Sequence, residues 1–318
     1  MTQGISLRRR RIWVAGHRGM VGSAIVRALE PYQAELVTVD RDTVDLRRQA
    51  EVEKFVMDRR PELVFVAAAR VGGILANSTY PAQFLYDNLM IAANVIDASY
   101  RAQVQKLMFL GSTCIYPRDA PQPLREEALL TGPLEPTNEW YAIAKIGGIK
   151  LCQAYRKQHG ADFISAMPTN LYGPEDNFDP NSSHVLPALM RKIHQAKLRG
   201  EPSVTLWGTG RPRREFMHVD DLARALLLLM QDYSDVPHIN VGTGVDCTIA
   251  ELAEKIAAVV GYRGSFQFDP SKPDGTPRKC TDVSRLLGLG FRPGFDLETG
   301  LRSTYAWYLQ NQDRLRER

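Results

Sequence analysis

Short, uninterrupted apolar runs recur along the first two-thirds of the chain, and stretches with apolar residues at helical spacing separate them. The runs cover residues 12–15, 35–39, 63–69 (LVFVAAA), 106–111 (KLMFLG) and 163–167. A half-exposed sheet alternates apolar and polar positions; strands that are apolar throughout belong to a parallel sheet covered on both faces. Between the runs, a helix opens at residues 23–29, and 81–102 and 141–158 are helical by period, long and poor in breakers. The pattern predicts an α/β fold, a Rossmann-like doubly wound parallel sheet. After Pro168 the texture changes to proline- and glycine-rich segments, YGPEDNFDPN, LWGTGRPRR and FDPSKPDGTP, which predict a smaller, loop-rich lobe. A helix at 219–230 and a short strand at 239–241 are expected to return to the first lobe. The expected division is therefore 1–168 with 216–243, and 169–215 with 244–318.

Composition narrows the class. The 318 residues can bury a core without disulfides or metal. Net charge is +4, from 40 Lys and Arg against 36 Asp and Glu, too balanced for a general nucleic-acid or membrane binder. Local basic clusters remain available to a phosphorylated ligand. Four cysteines, at 114, 152, 247 and 280, show neither CxxC spacing nor a zinc pattern. They read as reduced thiols in a cytoplasmic protein with no bound metal. The arginines at 8–11 precede an apolar run too short for a signal peptide, and no stretch approaches the ~18 apolar residues that span a bilayer.

Gly16, Gly19 and Gly22 form GxxGxxG between the first strand and the first helix. Glycine permits the tight turn and the approach of a pyrophosphate, and the helix N-terminus supplies free N–H groups and a positive dipole end. The motif points to a dinucleotide. Asp40, at the end of the second strand, suits a ribose 2′-hydroxyl and hence NAD. Arg18 and Arg41 suit a 2′-phosphate, and Arg18 lies in the turn itself, so NADP is favoured.

Tyr141 and Lys145 stand at i and i+4 in YAIAK, on one helical face. An ammonium beside a phenol favours the phenolate, and such a tyrosine exchanges a proton with a carbonyl or carbinol oxygen. Ser112 follows the KLMFLG strand, at the edge where open α/β sheets bind ligands, and its hydroxyl can bond the same oxygen.

With these motifs in place, GHRGMVG, GSTCIYP, YAIAK and PTNLYGP resemble the extended short-chain dehydrogenase/reductase family. The blocks AARVGGI, MPTNLYGPEDNF, SSHVLPALMRK, REFMHVDDLA, HINVGTGVDCTIAEL and KPDGTPRK carry a narrower resemblance, nearly end to end, to its 3,5-epimerase/4-reductase branch. That resemblance implies conversion of GDP-4-keto-6-deoxy-D-mannose to GDP-L-fucose, with epimerisation at C3 and C5 and NADPH-dependent reduction at C4. It implies Ser112, Tyr141 and Lys145 as the reductase triad. NADP would meet Gly16, His17, Arg18, Gly19, Met20, Val21 and Gly22, with Arg41 at the 2′-phosphate. Leu110, Gly111, Ser112 and Thr113, together with Tyr141 and Lys145, would follow along the cofactor. Pro168, Thr169, Asn170, Leu171 and His184 would border its nicotinamide. The helices at 81–102 and 141–158 resemble a pair that forms a homodimer interface in this superfamily.

A C4 ketone acidifies C3–H and C5–H, so epimerisation needs a base and an acid. Cys114 lies two residues after Ser112, and nearby cations lower a thiol. His184, in NSSHVLP, can protonate an enolate near neutrality. By spacing alone, Cys114 is equally a small core residue and His184 equally a helix-start residue; the resemblance matches them to the family's base and acid. It also places Lys192, Trp207, Arg214, Asp274 and Lys279 at substrate positions, with Arg214 the first choice for a diphosphate. Asp220 and Asp221 are expected only to cap a helix. Other readings are a redox-neutral sugar-nucleotide 4-epimerase or dehydratase with retained NAD, a GDP-colitose-type 5-epimerase/4-reductase, and a non-catalytic NADP-binding subunit. The intact triad argues against the last of these, because nucleotide sensing does not need proton chemistry.

Overall fold

The computed structural model describes residues 4–179, 182–272 and 274–315. In chain order the elements are β1 (Arg11–Ala15), α1 (Met20–Leu29), β2 (Glu35–Val37), α2 (Gln49–Arg59), β3 (Leu63–Val66), α3 (Ile74–Thr79), α4 (Pro81–Arg101), β4 (Lys106–Leu110), α5 (Glu139–His159), β5 (Phe163–Pro168) and β6 (Asn170–Tyr172). They continue with α6 (Val185–Arg199), β7 (Ser203–Trp207), β8 (Arg213–His218), α7 (Val219–Asp232), β9 (Ile239–Val241), β10 (Asp246–Thr248), α8 (Ile249–Val260), β11 (Ser265–Asp269) and β12 (Arg278–Lys279). Helices α9 (Ser284–Gly288), α10 (Leu297–Gln310) and α11 (Gln312–Leu315) end the chain.

Six strands form one parallel sheet in the order β2-β1-β3-β4-β5-β9. The apolar runs explain this sheet. Ile12 and Val14 of β1 enter one core with Ile25, Leu29, Leu222 and Leu226 of α1 and α7. Trp13 and Ala15, pointing the other way, enter a second core with Val52, Phe55, Val95 and Ile149 of α2, α4 and α5. Both faces are dry, so neither requires polar alternation. The strand order changes direction between β1 and β3, which opens a crevice at the carboxyl end of β1, where such sheets take ligands.

A third core joins Tyr172, Phe178, Leu186, Met190 and Ile193 to Val204, Leu206, Leu252, Ile256 and Leu301. Above it lie two small sheets, β10-β8-β12 with β6 on β8, and β11 on β7. Strand β9 pairs with β5, and α7 packs against α1, so both join the large sheet's layers. Among the described residues, no helix is long and apolar enough to cross a membrane.

Three local readings need correction. The second strand stops at Val37, because β1 continues beyond it paired only with β3. Asp40 therefore sits in a loop, where its carbonyl accepts the N–H groups of Thr43 and Val44. The first helix begins at Met20 and includes Gly22. The cap of α7 is His218, whose Nδ1 accepts the Asp220 N–H at 3.3 Å. Asp220 instead pairs with Arg27, and Asp221 accepts the N–H groups of Gly294 and Phe295. Both still lie in the first turn, where the helix dipole favours negative charge.

Candidate active site

The glycine turn is built by steric need. Gly16 adopts φ +88°, and a methyl group there would press on the backbone of Ala67 and Ala68. A methyl group on Gly22 would overlap the Gly16 carbonyl, so α1 crosses the end of β1 as closely as a backbone can. Gly19 starts α1 with no side-chain cap, leaving the first N–H groups directed at the crevice. Buried Asp40 Oδ1 accepts no hydrogen bond, while Oδ2 takes Arg18 Nη2 at 2.6 Å and His17 Nε2 lies 3.6 Å from Oδ1. The uncapped helix end, the glycine cradle and this available oxygen fit a dinucleotide. Arg18 is largely exposed and Arg41 exposed, so both are open to a phosphate. Met20 and Val21 open α1 and pack against the first core.

At the end of β4, Leu110 and Gly111 are buried and Ser112 leads into a tight turn, Thr113–Ile115, that carries Cys114. The Cys114 thiol bonds with the Ser112 side chain and feels the ammonium groups of Lys279 and Lys145. Lys145, buried on α5, donates from Nζ to the Leu110 carbonyl at 2.7 Å and lies 5.6 Å from the Tyr141 ring centre. Burial lowers its pKa to about 8. Burial also pushes the Tyr141 phenol upward, the reverse of the shift that its lysine neighbour predicts. The Cys114 thiol likewise moves up, because burial outweighs both cations. The tyrosine is thus held as a proton donor, the form that a ketone reduction consumes.

Pro168 ends β5, and buried Thr169 donates its N–H to the Val241 carbonyl. Asn170 Nδ2 donates to the Glu215 carbonyl at 2.9 Å, and Leu171 follows on β6. His184 precedes α6 as its N-cap residue without making a side-chain cap. Its side chain is exposed, while the protein packed around the ring desolvates it enough to lower its pKa.

The substrate candidates fall into two groups. Arg214 and Lys279 are paired neighbours on β8 and β12. Burial lowers the pKa of each, and Glu135 and Asp274 act on Arg214. Asp274 accepts the Thr209 N–H and hydroxyl at 2.7 and 2.8 Å. Lys192 donates to the Thr205 carbonyl, and the exposed Trp207 ring carries Lys272 Nζ 5.6 Å from its centre. Sequence reasoning missed Glu135, which lies electrostatically beside Arg214 and Lys279 and 3.5 Å from the Thr276 hydroxyl. It also missed Glu215, whose signal was a carboxylate directly before the apolar pair Phe216-Met217.

Cys114 is therefore the point where the tyrosine–lysine pair meets Lys279 of β12. Fold and site together define an enzyme of the doubly wound, dinucleotide-dependent class. A family model described as NAD dependent epimerase/dehydratase matches residues 12–242. The chain belongs to that family, in the branch of the GDP-L-fucose synthases. It is 59% identical to the GDP-L-fucose synthase of Sinorhizobium fredii, over 95% of this chain and 96% of that one. It is 56% identical to the GDP-L-fucose synthase of Escherichia coli, over 97% and 99%. A solved structure of a GDP-L-fucose synthetase from Naegleria fowleri bound to NADP superposes with a TM-score of 0.90 at 30% identity, covering 98% of each chain.

Proposed function

We propose that the protein converts GDP-4-keto-6-deoxy-D-mannose to GDP-L-fucose by epimerisation at C3 and C5 and NADPH-dependent reduction at C4. The observation that carries this reading is the position of Cys114. A plain reductase or 4-epimerase has no use for a thiol among Ser112, Tyr141, Lys145 and Lys279.

NADP is held by Gly16, His17, Arg18, Gly19, Met20, Val21 and Gly22, with Arg41 at its 2′-phosphate. Residues 110–113, 168–171 and His184 would complete the cofactor site, and bound NADPH would supply hydride for C4. Arg214 and Lys279 grip the diphosphate, while Lys192, Trp207 and Asp274 serve the nucleotide and sugar. Cys114 removes the proton alpha to the ketone, and His184 returns one from the other face. Burial alone favours a neutral thiol and a neutral imidazole. Lys279 and Lys145 draw the thiol toward thiolate, and the negative diphosphate favours imidazolium. Tyr141 then donates its proton to the C4 oxygen, while Ser112 bonds the same oxygen and Lys145 stabilises the resulting phenolate.

The chain divides, in this reading, into a nucleotide lobe of 1–168 with 216–243 and a substrate lobe of 169–215 with 244–318. It works as a homodimer through α4 and α5. Supporting this, Tyr86, Leu89, Trp140 and Ile143 on those helices are 36–59% exposed despite being large and apolar. Its place is the cytoplasm, in keeping with four free cysteines.

The test is NADPH oxidation with GDP-4-keto-6-deoxymannose in deuterium oxide. The expected product carries deuterium at both C3 and C5. Deuterium at C5 alone indicates the colitose-type reaction, and oxidation without deuterium leaves a simple 4-reductase. No oxidation with either nicotinamide cofactor moves the reading to a redox-neutral epimerase or dehydratase.

A further inference from the structure

Glu215 follows Arg214 on β8, and its side chain has no exposed surface. Four close donors converge on it, and the Thr243 hydroxyl lies 3.5 Å from Oε1 as a fifth. Oε1 accepts the N–H groups of Thr243 and Gly244 at 2.6 and 2.7 Å. Oε2 accepts the N–H and hydroxyl of Thr281 at 2.8 and 2.7 Å. Its main-chain carbonyl accepts Asn170 Nδ2 at 2.9 Å. Residue 242 is glycine where any side chain would overlap Oε1, so the loop after β9 is shaped to reach this carboxylate.

Three segments of the site thus meet at one residue. Thr281 stands two residues after Lys279, and Arg214 is the immediate neighbour of Glu215. Strand β9, which leads into the 242–244 loop, is the edge of the large sheet. The carboxylate is satisfied by neutral donors, and only a group with two acceptor oxygens can receive all four. An amide of the same shape turns a donor toward two donors.

We infer that Glu215 is a positioning residue, whose buried carboxylate anchors Arg214 and Lys279 to the edge of the nucleotide-binding sheet and holds the diphosphate grip at a fixed distance from the reacting centre. The inference rests on the reading of Arg214 and Lys279 as the diphosphate grip. Because Asn170 is held by the main-chain carbonyl, changing the Glu215 side chain acts on the substrate side and spares the cofactor side.

The experiment is calorimetric titration of the full chain with GDP and, separately, with NADPH, in the parent and in Glu215→Gln. The expected result is GDP binding at least tenfold weaker with NADPH binding within twofold of the parent. Turnover should show the same split, a raised KM for the GDP-sugar with kcat at saturation changed less than threefold. Equal GDP affinity in parent and variant overturns the inference, as does an equal loss for both ligands, which marks a general structural role. If Glu215→Gln does not fold, Thr281→Val removes one donor at nearly constant shape. It should weaken GDP about threefold and leave NADPH unchanged; an unchanged GDP affinity overturns the inference. A parent that binds no GDP instead refutes the diphosphate grip itself, a separate outcome.

Discussion

Cys114 and Tyr141 share one low-dielectric pocket, where burial raises both acids. In the proposed reaction the two residues serve separable steps, one at carbon and one at oxygen. Tyr141→Phe should reduce NADPH oxidation by roughly 10²–10⁴-fold, the usual weight of a lost general acid, while C3 and C5 protons still exchange with solvent. Cys114→Ser should do the opposite: exchange collapses while slow reduction of the unepimerised ketone continues. Both are read by NADPH absorbance and by NMR in deuterium oxide. Parent-rate exchange in Cys114→Ser would remove the thiol from the chemistry. The contribution of three dimensions is plain at this scale. Spacing placed Tyr141 one turn from Lys145, but only the packed structure shows that desolvation sets the direction of the phenol's shift.

At the scale of elements, α4 and α5 lie side by side, and both bury one face on the sheet. Their outer face is the opposite of what a solvated helix shows. Tyr86 and Leu89 are three residues apart on α4, Trp140 and Ile143 three apart on α5, and Leu89 reaches the backbone at Gly147 between the helices. Sedimentation should give twice the 35.7 kDa chain mass. Leu89→Lys with Ile143→Lys should shift it to a monomer by placing two charges in an apolar contact. A parent that sediments as a monomer removes the dimer. These two helices were legible from their period, since long breaker-free stretches declare themselves. The ends of elements were less so: the second strand lost its last residues because β1 turned to β3, a decision made by the neighbouring strand.

At the scale of the molecule, two buried groups give the stability opposite pH dependences. His238, against Tyr116 at 2.9 Å, is lowered by burial to about 4. The unfolded chain binds that proton and the folded chain does not, so this contribution is full above about pH 6.5 and is lost as pH falls toward 4. Asp176 is raised by burial to about 7. Here the folded chain holds a proton that the unfolded chain releases, so its contribution is full at low pH and is lost as pH rises toward 7. At most, Asp176 is worth about 4 kcal/mol and His238 about 3 kcal/mol across their windows, and the two oppose each other. Asp176→Asn should therefore make Tm fall more steeply between pH 7 and pH 4.5 than in the parent. His238→Gln should make it fall less, or rise. Parallel curves in thermal melts of all three proteins would show that neither burial persists in solution.

The sequence by itself determined the architecture and the reaction class of this chain. Apolar runs allow only a sheet covered on both faces, glycines at 16, 19 and 22 allow only a close backbone crossing, and Tyr141 with Lys145 one turn later can share one ligand edge. These are local rules of backbone geometry and side-chain period, readable over a few residues. Tertiary structure decided what depends on several distant segments at once. It set the proton affinities in the pocket, because desolvation is a property of everything packed around a group. It brought Lys279 to Cys114, made His218 rather than an aspartate the cap of α7, and gathered four donors from two distant loops onto Glu215. No periodicity encodes such meetings, since the partners lie up to 165 residues apart in sequence and meet only when the strands that carry them pair.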